Sequence, residues 1–326
     1  MSWKGVRRTV SDPAAGLIFW LCIHLLGALP IGVMSALASA GSWALYLFPT
    51  TWKRISLANL AIAFPEWDDQ RRRRVCRKSF YHVFVNVLEF LRSIRKPERV
   101  HERMRLDERT TRLYEEVRNG DRVCFFVLPH LGSWELLGHA ANAWTGKVRA
   151  VANEFRNPHV ERLIRGAREK TGMGVISDKG AARGVVRACR EGVHLALLID
   201  QNTRVQHGGV FVDFFGLPVT MSRLPATLAR RFDAHIVASA GPRTGDHYEM
   251  SWNELPKETS EYGSDRELTQ ALAAQFEQVI RQYPEQYLWT YRRWRYIPAD
   301  CTPEMRERYP FYARDYEYQA GEEKES

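Results

Sequence analysis

His130 and Glu135, in the stretch "VLPHLGSWELLGHA" at residues 127–140, are the pair in this chain whose types and spacing most readily allow acid–base chemistry. A carboxylate beside an imidazole fixes one ring nitrogen as the N–H. The other nitrogen can then accept a proton from a hydroxyl. Residues five apart on one helix are separated by about 140°, at about 3.6 residues per turn, and would not face each other. A turn between them removes that obstacle. Gly132 permits a sharp bend and Ser133 suits a helix N-cap, so Glu135 is expected to fold back onto His130. His139, four residues after Glu135, is a rival partner across one helical turn. The sequence has no H-E-x-x-H and no other tight His/Asp/Glu cluster, so neither a metal nor a cofactor is expected.

The elements around the pair carry more weight than the motif. Val123–Leu128 is an apolar run closed by Pro129, which has no N–H for a sheet ladder. His130 would then sit at the carboxyl end of a buried strand, the edge at which open α/β sheets hold ligands. Further short apolar runs at Val148–Ala152, Gly174–Ser177, Leu195–Ile199 and Ile236–Ala240 read as strands. Between and after them, helical periods appear near 133–144, 158–171, 179–191, 222–232 and 265–283. Strands spaced by helices predict an α/β fold, a central mostly parallel or mixed sheet flanked by helices. Upstream, Asp68 is a good N-cap for a helix whose apolar face is Val83, Phe84, Val87, Leu88 and Leu91.

Charge and the N-terminus bound the partners. The chain has 326 residues, 45% of them hydrophobic, which suffices for one large domain or two small ones, and a formal net charge of +9 that favours an anionic partner. No helix-turn-helix, RNP or zinc-finger pattern points to nucleic acid. The five cysteines, Cys22, Cys76, Cys124, Cys189 and Cys301, are scattered and odd in number, which argues for a reducing compartment. Residues 14–48 hold no Asp, Glu, Lys or Arg and are flanked by Lys4, Arg7, Arg8, Lys53 and Arg54. This segment reads first as a membrane anchor, bent at Pro30 and Gly32 into a helical pair. A single clean span, and a signal peptide cleaved near Ala38–Ala40, are the alternatives. The expected organisation is an anchor over 1–50, an α/β domain over 51–310 and a charged, disordered tail over 311–326. The run Arg71–Arg74 is a solvated first turn or a contact with lipid headgroups.

"HLGSWE" resembles the H-x-x-x-x-(D/E) motif of the lysophospholipid acyltransferase superfamily. "NLAIAFPEW" (59–67), Glu89, the block "LALLIDQNTRVQHGGVFVDFFGLPVTMSRLPATLARRFDAHIV" (195–237) and "YLWTYRRWR" (287–295) resemble the bacterial lipid A late acyltransferases, the lauroyl/myristoyl transferases. The resemblance runs from the anchor to about residue 296. Asn157–Pro158 match that family's N-P. Asn153 stands where the family often carries Arg, and Arg156, three residues on, is the nearest substitute. The resemblance implies an inner-membrane O-acyltransferase at the cytoplasmic face. Its donor would be an acyl-carrier-protein or CoA thioester, and its acceptor a hydroxyl of an anionic glycolipid such as a lipid A precursor. His130 would be the general base and Glu135 its orienting carboxylate, with backbone N–H groups around Gly132 and at the N-terminus of the following helix as candidate oxyanion donors. The rival readings are a membrane-associated thioesterase, another acceptor such as a phosphatidylinositol mannoside or an amino-acid lipid, and a non-catalytic surface-binding module.

Other residues invite roles around such a site. Asp200 closes a strand and either shapes the site or caps the next turn. Gly208 and Gly209 make a bend or hairpin, or let an acyl chain approach. "FVDFFGLPVT" is core or an apolar acyl slot. Arg156, Arg168 and Arg183 are candidates for phosphate contacts. "WTYRRWRY" reads as an interfacial belt or a buried aromatic anchor.

Overall fold

The computed structural model describes residues 3–152, 154–177 and 181–318. Asn153 and the end of the expected tail, 319–326, lie outside them. The chain opens with α1 (Trp3–Leu25) and α2 (Ile31–Leu47). Pro30 holds extended backbone between them (φ −57°, ψ 149°), so the chain turns where the sequence placed the bend. Among the described residues, no single helix is long and apolar enough to cross a membrane, but Pro13–Ala28 and Ile31–Leu47, bent by 119°, have that length and composition together. After α3 (Thr51–Ala63), the long α4 (Asp69–Arg95) starts where Asp68 accepts a hydrogen bond from the Arg71 N–H at 2.6 Å. The helical pair packs on α4 through Met34 and Ala38 against Val85 and Leu88. Gly27 sits so close to α4 that a Cβ there would lie 2.9 Å from the Leu91 carbonyl oxygen. On the predicted apolar face of α4, Leu88 and Leu91 are buried, whereas Val87 remains 52% exposed.

The α/β body follows. Its elements are β1 (Met104–Arg105), α5 (Glu108–Asn119), β2 (Cys124–Leu128), α6 (Trp134–Thr145), β3 (Val148–Ala152), α7 (Pro158–Lys170), β4 (Gly174–Ser177), α8 (Ala181–Arg190) and β5 (His194–Leu198). Then come the hairpin β6 (Gly209–Phe214) and β7 (Leu217–Ser222), α9 (Leu224–Phe232), β8 (His235–Ala240), β9 (Arg243–Thr244), β10 (His247–Glu249), β11 (Ser251–Glu254) and α10 (Asp265–Gln282). The central sheet runs β11-β8-β2-β5-β3-β4, and β11 is its antiparallel edge. Its interior strands are parallel. β2 is buried on both faces, which is why it reads as an unbroken apolar run. Phe125 and Val127 enter one core with Leu195, Leu197 and Ile236, while Phe126 and Leu128 enter a second with Leu136 and Leu137 of α6.

Of the bend and the hairpin turn expected as alternatives at Gly208–Gly209, the bend is found there. The turn of the hairpin is Phe215–Gly216, both left-handed (φ 53° and 69°). Gly208 and Gly209 make the bend into β6: Gly208 is left-handed, and a Cβ on Gly209 would lie 2.0 Å from the Thr203 carbonyl oxygen. Val212, Phe214, Leu217 and Val219 belong to the core, so the hairpin is no acyl slot. Trp289 and Trp294 are buried at 1% and 0%, the buried-anchor reading of that segment. Residues 311–318, assigned above to the tail, lie against the body. Arg314–Asp315 pair with Tyr296–Ile297, and the Tyr316 hydroxyl accepts from the Val205 N–H.

Candidate active site

Winding sets the site. From β2 the chain crosses β5 to reach β3 and β4, returns to β5, then crosses β2 to β8. The reversal opens a crevice at the carboxyl ends of β2 and β5. Leu128 and Leu198 are parallel partners there, and two residues beyond each stand His130 and Asp200. Asp200 grips His130 twice. Its Oδ2 accepts the His130 backbone N–H at 2.9 Å, and its Oδ1 lies 2.6 Å from Nδ1. The orienting bond expected from Glu135 is made by Asp200. Burial would raise the Asp200 carboxyl, but the charge of His130 and hydrogen bonds from it, with Arg293 behind, hold it below the ordinary value. An ionised Asp200 makes Nδ1 the N–H nitrogen and leaves Nε2 an acceptor, 3.2 Å from the Gln201 amide nitrogen.

The backbone around His130 is pinned from three sides. The Leu288 N–H donates to its carbonyl at 3.1 Å, the Ser133 N–H to the Gly241 carbonyl at 2.9 Å, and Asn86 Nδ2 to the Gly132 carbonyl at 2.8 Å. Gly132 must be glycine. It is left-handed (φ +62°), and a Cβ would lie 1.9 Å from the Gly241 carbonyl oxygen. The N–H groups of Gly132 and Ser133 are thereby committed within the fold, to Gln286 and Gly241, which removes them as oxyanion donors. The start of α6, where the Ser133 side chain makes no capping bond, offers the other backbone donors named from sequence.

Glu135 is bound elsewhere. Arg168 Nε and Nη2 approach its two oxygens at 2.8 and 3.0 Å, and His139 Nε2 lies 3.7 Å away. The i,i+4 rival partner is therefore near, but α7 supplies the main one. Burial would raise the Glu135 carboxyl, but the nearby His139 imidazole and the hydrogen bonds and charge of Arg168 outweigh it and hold the pKa at about 2. Its ordinary value is 4.5, so a folded-state pKa below the unfolded one stabilises the fold fully above that value. The contribution, on the order of 3 kcal/mol, is lost as pH falls from about 4.5 towards about 2. Denaturant unfolding is expected to show Glu135→Gln less stable than wild type at pH 7, with a gap that closes across that acid window. A pH-independent gap would contradict the pairing.

His130, Glu135, Arg168 and Gln201 line one cavity of about 470 Å³. Its remaining walls are largely apolar, with Val83, Val87 and Phe90 from α4, Leu128, Leu198, and Phe155 beside α7. Val87 and Phe155 are 52% and 44% exposed, so these greasy walls reach the surface. Arg168 and Asp200 thus join the site, though each binds a protein carboxylate or imidazole. Arg156 is exposed and not among the lining residues, and neither are Gly208 and Gly209. Arg183 lies on α8 with Arg187 and Arg190, beside a separate shallow groove. No group of three or more His, Cys, Asp or Glu side chains is arranged to hold a metal among the described residues. Sequence reading missed Asn86, Gln201 and Leu288, for which no local motif exists. Strand adjacency alone could have found the Asp200 contact.

Residues 7–296 match the profile of a family described as bacterial lipid A biosynthesis acyltransferase. A curated protein of Shigella flexneri, lipid A biosynthesis acyltransferase 2, is 24% identical over 206 residues, which cover 61% of this chain and 64% of that protein.

Proposed function

Because the chain belongs to the bacterial lipid A biosynthesis acyltransferase family, we propose that it moves a fatty acyl chain from a carrier-protein or CoA thioester to a hydroxyl of a lipid A precursor or related anionic glycolipid. The observation that carries this reading is the His130–Asp200 pair, whose outer nitrogen opens on an apolar cavity. The acceptor hydroxyl displaces the Gln201 amide and gives its proton to Nε2 as its oxygen attacks the thioester carbonyl. The resulting oxyanion is stabilised by donors at the uncapped start of α6. Collapse breaks the C–S bond, and the imidazolium returns the proton to the departing thiolate. Asp200 stays ionised throughout and offsets the transient charge. Arg168 holds Glu135 as a fixed wall of the cavity, so Glu135 acts by positioning. Incubating the purified chain with an acyl thioester and a lipid A precursor tests the reaction. Acylated lipid and free thiol in equal amounts are expected, whereas free fatty acid without acylated lipid would identify a hydrolase.

The same reading sets the enzyme on the cytoplasmic face of the inner membrane. Support for membrane contact is the apolar surface of the bent pair and the start of α3: Leu17, Ile18, Leu25, Leu47, Phe48 and Trp52 are each at least 57% exposed. Basic groups sit on aromatic rings beside it, Arg77 over Trp43 at 4.4 Å and Lys53 over Tyr46 at 4.2 Å, a pairing suited to a headgroup layer. Burying each large apolar side chain is worth about 1.5–3 kcal/mol. The double substitution Leu47→Ser and Phe48→Ser is therefore expected to weaken partitioning onto vesicles about a hundredfold or more in a sedimentation assay. Unchanged partitioning would remove this surface from the membrane contact.

A further inference from the structure

A second pocket, of about 180 Å³, shares no residue with the catalytic cavity. It lies among the end of α4, the start of α2, the short helix 97–103 and α6. Four cationic residues, Arg92, Lys96, Arg99 and Arg103, line it against two anionic ones, Glu89 and Glu102. The Glu89 and Arg103 side chains are 4% and 14% exposed and joined at 2.9 Å through Arg103 Nη2. A buried pair is satisfied only when its remaining donors also find acceptors. Arg103 Nε and Nη1 are buried and have no hydrogen-bond partner among the described residues. Arg243 adds a second guanidinium to the same neighbourhood. It donates to the Tyr81 hydroxyl at 2.9 Å, and its own Nε is buried without a partner. Tyr248, whose hydroxyl is likewise without a partner, feels Glu89, Arg103 and Arg243 together. The Glu89–Arg103 pair thus leaves two guanidinium nitrogens without an acceptor beside a pocket far larger than one water needs.

We propose that this pocket binds a phosphate oxyanion, delivered by an anionic lipid headgroup. A tetrahedral oxyanion supplies the missing acceptors and the missing negative charge in one group, and guanidinium groups suit it better than any neutral ligand does. The lipid source follows from position. Ile31, the first residue of α2, lines the pocket at the break of the bent pair, and Arg92 Nη1 donates to the Leu29 carbonyl there at 3.1 Å. The exposed apolar residues Leu25 and Val33 flank that break. A phosphate held here would lie at the base of the same greasy surface.

The test is calorimetric titration of the full chain in a phosphate-free, non-ionic detergent, with inorganic phosphate in one arm and dihexanoyl phosphatidic acid in the other. Saturable binding is expected, weakened about tenfold by Lys96→Ala, which disturbs no ion pair, and further by Arg103→Met. His130→Ala should bind as wild type does, so the result stands or falls apart from the catalytic reading. Tighter binding of the lipid than of phosphate supports the headgroup source, and equal binding assigns the pocket to a soluble phosphate compound instead. Absence of saturable binding in both arms, or equal affinity in wild type and Lys96→Ala, would overturn the proposal.

Discussion

His130→Ala is expected to lower kcat for acyl transfer by about 10²–10⁴-fold, the usual worth of a positioned general base. The imidazole does its work only as the acceptor hydroxyl loses its proton. It contributes little to holding either substrate in the ground state, so kcat and kcat/KM should fall together while KM stays near the wild-type value. The cavity supports that separation, because its walls are mainly side chains of α4, β3, β5 and α6 that the substitution leaves in place. A rise in KM with kcat unchanged would make His130 a binding residue.

The second large effect is expected from Asp200→Asn, a loss of about 10²–10⁴-fold in kcat with little change in shape. The carboxylate accepts twice, from the His130 backbone N–H and from Nδ1. An amide can keep the first bond, but it can turn its NH₂ towards Nδ1. The ring proton then moves to Nε2, and the nitrogen that must accept becomes a donor. The amide also lacks the charge that offsets the imidazolium. Glu135→Gln, by contrast, should act through stability and the placement of Arg168, because Arg168 binds both of its oxygens. At a temperature where that variant stays folded, it should lose far less activity than Asp200→Asn.

Much of the scaffold was legible in the sequence. The strands at Val148–Ala152 and Gly174–Ser177 have the expected bounds, and β2, β5 and β8 differ from expectation by one residue at one or both ends. Their apolar runs stand out because parallel strands are buried on both faces. His130 at a strand end, the turn at Gly132 and the cap at Asp68 were equally visible, since each follows from local backbone chemistry. The error at Glu135 has a physical origin. Proximity in sequence favoured a residue five positions away, whereas the true partner is 70 residues on, carried to His130 by the in-register pairing of Leu128 with Leu198. Nothing local says that β5 lies beside β2, because the chain reaches it only after visiting β3 and β4. For the same reason Leu288, which braces the His130 carbonyl from more than 150 residues away, carried no local mark. Gly208 and Gly209 suited a bend or a hairpin turn alike; the bend forms there, and the hairpin turn forms at Phe215–Gly216, where Phe215 accepts left-handed backbone.

The central claim is that His130 and Asp200 act as one unit. Its most direct test is kcat measured for wild type, His130→Ala, Asp200→Asn and the double variant under identical conditions. Groups that work together lose their effect together, so the double variant is predicted to be no slower than His130→Ala alone. Losses that multiply, or an Asp200→Asn enzyme with wild-type kcat, would contradict it.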